Sequence, residues 1–246
     1  MKDVEMDPLV SCPIVCGEYM RASGFFFRLD ERVYLITARH NVLSTDGQKL
    51  KTGGLSSNFV SRNDYRVVDV YLRTGDEFDA KRLNLNDCDG IKHSPEIDIV
   101  AIPFDGNPDE YGYHIWTEAD ISDPRRSTAT LDSIGFNGSS FPDPSSGYAQ
   151  SIYATETGTP VTLRLENELH GTSNNINTGL VAVGIDEKFV GKKEEYNGLS
   201  GSPILGDGLV GIHSHTADLP TDAMQHYNEF RYVVYTRAEV LPHMLD

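Results

Sequence analysis

The chain has 246 residues, 39% hydrophobic and 24% charged, and its 37 Asp and Glu against 21 Lys and Arg give a formal net charge of -16. The length admits one all-β domain of two barrels, or two small domains, with sizeable cores. The acidic balance weighs against binding bare nucleic acid, because like charge repels phosphate, and it suits a salty medium.

The opening "MKDVEMDPLV" lacks a basic region followed by an apolar core, so no signal peptide is expected. Three cysteines, Cys12, Cys16 and Cys88, are too few and too odd in number for a disulfide framework. No apolar stretch is long enough to span a membrane. These features point to a reducing cytoplasm. Short apolar or alternating runs then follow, separated by Gly, Asn, Asp, Ser and Pro, the pattern of a sandwich or barrel. Strands are predicted at 24–29, 32–37, 65–72 and 98–104, with Asp30 and Glu31 in a hairpin turn between the first two. Residues 106–128 are polar and rich in turn formers, and read as a connector between halves of similar length. Beyond it, strands are predicted at 130–136, 147–156, 161–166, 180–185, 202–205, 209–213 and 230–236, with "GDG" (206–208) as a second hairpin turn. Thr236 is placed to cap a short final helix, "RAEVLPHML".

Within this frame the hexapeptide "GLSGSP" (198–203) sets Ser200 between glycines, which permit unusual backbone angles and leave room above the hydroxyl. A nucleophilic serine needs that room, together with backbone N–H donors for the oxyanion, and Gly198 and Ser200 are the natural pair. As a short motif, the hexapeptide fits a plain turn equally well. A serine needs a base, and His40 directly follows the strand-like run "LITAR". Histidine in turn needs a carboxylate, and Asp98 opens the otherwise apolar "DIVAIPF". Each residue alone also fits a surface or turn position. Taken together, their order is His, Asp, Ser, which differs from the Ser, Asp, His order of α/β-hydrolases.

In this combination the chain resembles a chymotrypsin-fold, trypsin-like serine peptidase. "SGFFFRLDERVYLITARH" resembles the family's hairpin ending in T-A-x-H, "DIVAI" its D-I-A-L-L, and "GLSGSP" its G-x-S-G-[GS]-P. "LVGIHS" resembles the strand lining the primary specificity pocket, and "VVYTRAEVL" the last strand and C-terminal helix. The resemblance implies an all-β fold of two six-stranded antiparallel β-barrels of the chymotrypsin type with a short C-terminal helix. One peptidase domain would span 1–246, with barrels at 10–115 and 128–236 and the helix at 237–246. It implies a triad of His40, Asp98 and Ser200, an oxyanion hole from Gly198 and Ser200, and hydrolysis of a protein or peptide substrate without a cofactor. Leu199 stands where the family's secreted animal members carry an Asp that pairs with a newly cut N-terminus.

The "GIH" of 211–213 is closest to the bacterial and archaeal glutamyl-endopeptidase-like branch. There this histidine binds an acidic side chain, which implicates His213, with Ser214 beside it. Glu195 replaces that branch's pocket threonine and would favour Lys or Arg instead. The resemblance also admits a regulatory protein partner, as for trypsin-like effectors of prokaryotic defence, or a silent pseudoprotease that grips peptides by strand pairing. No metal site is expected, since His213 and His215 share a strand face with no four-ligand set in view.

Overall fold

Three consecutive phenylalanines show how the first sheet is built. Phe25, Phe26 and Phe27 lie on β2 (Met20–Leu29), where successive side chains point to opposite faces. All three are buried, so this strand has core on both sides. Phe26 packs with Ile14, Leu35, Val100 and Ile102. Phe25 and Phe27 pack with Tyr34, Ile36, Ile99 and Ala101, in a cluster that also holds Leu209, Ile212 and Leu241 from the end of the chain. The same alternation runs through β3 (Arg32–Thr37) and β7 (Ile97–Pro103). These strands read as unbroken apolar runs because neither face meets water.

The computed structural model describes residues 9–17, 20–43, 67–75, 77–94, 96–123, 131–136, 161–166, 178–183, 198–218 and 231–245. The predicted strand at 147–156 and Glu195 lie outside these residues.

The first sheet also contains β1 (Cys12–Cys16), β4 (Val67–Thr74), β5 (Glu77–Asn84), β6 (Lys92–Ser94) and β8 (Ile115–Trp116). Its order is β5-β4-β1-β2-β3-β7-β6, and β8 pairs in parallel with β2. The expected six antiparallel strands are therefore eight segments with one parallel pair. The two ends of the order, β5 and β6, are consecutive in the chain and joined by residues 85–91. Asn84 starts a turn there, its backbone carbonyl accepting from the Asp87 N–H at 3.0 Å and its side chain donating to Asp87 at 2.6 Å. Leu83, Leu85, Cys88 and Ile91 pack on the core that holds Phe26. A covalent connection, rather than a ladder of hydrogen bonds, thus links the two ends of this sheet.

The second sheet comprises β9 (Leu131–Gly135), β10 (Val161–Glu166), β11 (Thr178–Val183), β12 (Pro203–Leu205), β13 (Leu209–Asp218) and β14 (Arg231–Arg237). It closes as an antiparallel barrel in the order β10-β11-β14-β13-β12-β9. Leu131, Leu163, Leu165, Leu199, Ile204, Val210, Val233 and Tyr235 form a cluster of its buried residues. A final helix, α2 (Val240–Leu245), starts later than expected because Thr236 stays in β14. It buries Val240, Leu241 and Leu245 against β2, β3 and β7, which joins the two barrels through one apolar layer. The chain therefore has the expected all-β class, two barrel-like sheets and a short C-terminal helix. Cys12 and Cys16 are buried free thiols and Cys88 is a half-buried one. Among the described residues no helix is long and apolar enough to cross a membrane.

Candidate active site

At Thr37 β3 ends, and the chain enters a single helical turn, α1 (Arg39–Val42). Ala38 precedes it and has no side chain that could cap the first turn. Asp98 supplies that cap from β7, the neighbour of β3. Its Oδ1 accepts the backbone N–H of His40 at 3.0 Å, and its Oδ2 lies 2.8 Å from His40 Nδ1. One carboxylate therefore holds both the backbone and the ring of the same residue. Side-chain exposure is 21% for His40 and 30% for Asp98, so the pair is shielded but open on one side. Burial pushes the Asp98 pKa up, but the His40 charge and hydrogen bonds from His40 and Ser214 outweigh it and hold the carboxyl below the ordinary carboxylate range. Since Asp98 is ionised, His40 Nδ1 donates, and in the uncharged ring Nε2 then carries the lone pair.

Ser214 reaches the site through an irregularity in β13. The register against β14 shifts between His213 and His215, so Ser214 is the extra residue of a bulge, a device that re-aims side chains. Its Oγ–H donates to Asp98 Oδ2. Its carbonyl accepts the hydroxyl of Ser200 at 2.8 Å.

Ser200 comes from the second barrel, on the turn before β12. Leu199 is 1% exposed and sinks into that barrel's core, pinning the turn. The Ser202 N–H donates back to the Leu199 carbonyl at 2.9 Å. Gly198 has φ 100 and Gly201 has φ 91, angles that favour glycine. A Cβ on Gly201 would strike the Ser23 carbonyl and Thr37 Oγ1. Among the described residues no acceptor takes the N–H of Gly198 or of Ser200, so two backbone donors flank the hydroxyl.

The turn is gripped from the first barrel. The Ser200 carbonyl accepts from the Ser23 N–H at 3.0 Å and from Asn41 Nδ2 at 3.0 Å. The Gly198 carbonyl accepts from Ser23 Oγ at 2.8 Å. Ser23 and Asn41 were not among the sequence-derived site residues. Their one signal is position: Ser23 closely precedes the phenylalanine run, and Asn41 follows His40.

The structure thus brings His40, Asp98, Ser214 and Ser200 into one chain of hydrogen bonds. Among the described residues none joins Ser200 Oγ directly to His40. His213 is 1% exposed, with Nδ1 2.9 Å from Ser133 Oγ. Burial first, then the charges of His215 and His40, bring its pKa down to about 3. The imidazole is therefore uncharged at neutral pH, and it would meet an acidic side chain through a hydrogen bond rather than a charge. His215 is half-buried, its Nδ1 3.1 Å from Ser214 Oγ, and burial followed by the His40 charge lowers its pKa. The set contains a lone pair on a fixed imidazole, a hydroxyl on a glycine-flanked turn, and two unused backbone donors. These are the parts of base-assisted acyl transfer.

No family model matches the chain, and no curated protein matches it. Solved structures do. A thermostable serine protease, AL20, from an extremophilic microorganism is 11% identical with a TM-score of 0.53, over 97% of this chain and 96% of that one. The protease Anisep from Arthrobacter nicotinovorans is 10% identical with a TM-score of 0.50, over 97% of this chain and 95% of that one. The chain shares the fold of these proteases along nearly its whole length.

Proposed function

We propose that the chain is a serine endopeptidase that hydrolyses peptide bonds through an acyl-enzyme. His40 Nε2 takes the proton from Ser200 Oγ as the oxygen attacks the scissile carbonyl carbon. Asp98 keeps the proton on Nδ1 and stabilises the imidazolium, and the N–H groups of Gly198 and Ser200 hold the oxyanion. The imidazolium then protonates the leaving amine. In the second half, His40 removes a proton from water, water attacks the ester, and the imidazolium returns its proton to Ser200. The substrate is a protein or peptide, and the reaction calls on no cofactor. The observation that carries this reading is the Asp98 carboxylate, which fixes His40 at two points beside a hydroxyl flanked by unused N–H donors.

One observation favours a second reading. The Ser200 hydroxyl is engaged with the Ser214 carbonyl, so it must rotate before His40 can take its proton. A catalytically silent peptide binder on this fold would keep that bond. A protease gated by a regulatory protein partner, as an effector of prokaryotic defence would be, would release it on activation.

The test is labelling with a serine-directed fluorophosphonate, followed by peptide mapping. The expected result is a single adduct at Ser200 that vanishes in Ser200→Ala while the protein stays folded. Replacement of such a serine costs on the order of 10⁶ in turnover. An adduct that persists in Ser200→Ala, or maps to Ser202 or Ser214, overturns the assignment of the nucleophile.

A further inference from the structure

We infer that Asn41 and Ser23 are positioning residues that hold the nucleophile turn in its reactive shape, an inference that rests on reading Ser200 as the nucleophile. The turn carries its own constraint, the bond from the Ser202 N–H to the Leu199 carbonyl, but that bond fixes only its far side. The carbonyls of Gly198 and Ser200 point the other way and meet the first barrel. Asn41 lies 159 residues from Ser200 in the sequence and is 2% exposed. Ser23 is fully buried.

The direction of every bond in this cluster follows from its chemistry. The Ser200 carbonyl can only accept, so the Asn41 amide must turn its nitrogen toward it. The same nitrogen donates to Thr37 Oγ1 at 3.1 Å, and Thr37 passes its own hydrogen to the Ser23 carbonyl at 2.7 Å. Ser23 Oγ accepts the Phe136 N–H at 2.8 Å and donates to the Gly198 carbonyl. Donors and acceptors are matched, and each sits where water has little access, so leaving one unmade is costly.

Geometry gives the cluster its role in the reaction. Gly198 has φ 100, a conformation open on both sides to a residue without Cβ, so its backbone needs an outside hold. The Ser23 hydroxyl provides one by fixing the Gly198 carbonyl, and with it the peptide plane that carries the Leu199 N–H, which restrains rotation about the Gly198 Cα and so steadies the Gly198 N–H on its other side. Asn41 does the same for the Ser200 carbonyl, next to the reacting Oγ. None of the side chains involved, Ser23, Thr37 and Asn41, titrates. The hold is therefore the same at every working pH, and it differs from an ion-paired anchor in that respect.

The experiment measures fluorophosphonate labelling rates and ester hydrolysis for the full chain, Asn41→Asp, Asn41→Leu and Ser23→Ala. Asn41→Asp keeps the shape but sets an oxygen against the Ser200 carbonyl, and Asn41→Leu keeps roughly the volume without donors. Each Asn41 variant should label about 10²-fold more slowly, the loss typical of a reacting group displaced by on the order of 1 Å. KM should stay unchanged while kcat falls. In Asn41→Leu and Ser23→Ala the pH profile should keep its shape, since neither adds nor removes a titrating group; a variant that merely disturbs neighbouring His40 would move the acid limb, as the new carboxylate of Asn41→Asp itself does. Ser23→Ala, a small deletion, keeps the test open if both Asn41 variants fail to fold, and it should lower kcat in the same way. Folded variants that label at the wild-type rate, or whose loss lies in KM, or a shifted limb in Asn41→Leu or Ser23→Ala, overturn the inference and leave the reading of Ser200 standing. A wild-type adduct at a site other than Ser200 overturns both.

Discussion

Asp98→Asn removes a charge while keeping the shape of the side chain, and its consequence can be followed atom by atom. Three donors face the carboxylate: the His40 backbone N–H on Oδ1, and His40 Nδ1–H with Ser214 Oγ–H on Oδ2. An amide offers one oxygen and one NH₂ group. If its oxygen faces Nδ1, the NH₂ group meets the backbone N–H at the start of α1, donor against donor, and neither can turn away. If its oxygen faces the backbone, the NH₂ group meets Nδ1 and Ser214. The Ser214 hydroxyl can rotate to accept, and the ring can shift its proton to Nε2. The second arrangement is cheaper, and it disables the base, because Nε2 no longer carries the lone pair that Ser200 needs. The expected loss is about 10⁴ in kcat, equivalent to about 5.4 kcal/mol at 1.36 kcal/mol per decade. Folding should lose less, about 1–3 kcal/mol for the weakened hydrogen bonds. Steady-state hydrolysis gives kcat and KM, urea denaturation gives stability, and nitrogen NMR of His40 reports which ring atom holds the proton. The variant should be folded, protonated on Nε2 and about 10⁴-fold slower. A folded variant with the proton on Nε2 and kcat within tenfold of wild type would refute the role given to this carboxylate.

Gly201→Ala places a Cβ at φ 91 against the Ser23 carbonyl and Thr37 Oγ1, so it should cost about 1–3 kcal/mol in overpacking alone and lower kcat as the turn shifts; a wild-type melting temperature with wild-type activity would contradict the packing described. His213 has its pKa depressed from 6.5 to about 3, so the unfolded chain binds more protons in that window and stability falls as pH drops through it. The slope is at most about 1.4 kcal/mol per pH unit, full stability lies above the ordinary value, and the slope should be absent in His213→Gln. Urea midpoints from pH 7 to 4 measure it, and equal slopes in the two proteins would show that His213 is not held neutral.

The residues that were legible in the sequence carry their signal in their immediate neighbours. β3 runs over 32–37 as predicted, because its apolar run is bounded by a hairpin turn on one side and small residues on the other. His40 and Asp98 stand at the ends of such runs, and Ser200 lies between glycines. β1 was missed, since "CPIVC" contains a proline; Pro13 is tolerated because pairing with β4 begins only at Ile14. β5 was missed because "EFDAKRLN" is largely exposed and shows no apolar face. Asn41 and Ser23 carried no signal beyond their positions beside His40 and the phenylalanine run. Their partners lie on the other barrel, and a contact across that distance is set by the packing of β2, β3 and β7 against the second sheet. The orientation of the Ser200 hydroxyl was equally out of reach, since it depends on a bulge at Ser214 that creates a free carbonyl.

Leu199 gives the Ser200 turn a thermal and ionic character of its own. Its hold on the second barrel is apolar, and burial of a leucine contributes about 1.5–3 kcal/mol. Such a contribution is entropic near room temperature and weakens on cooling. Dissolved ions screen charges but leave apolar contacts largely in place, and they relieve the self-repulsion of a chain with net charge -16. Concentrated salt therefore leaves the turn anchored, whereas chilling slackens it.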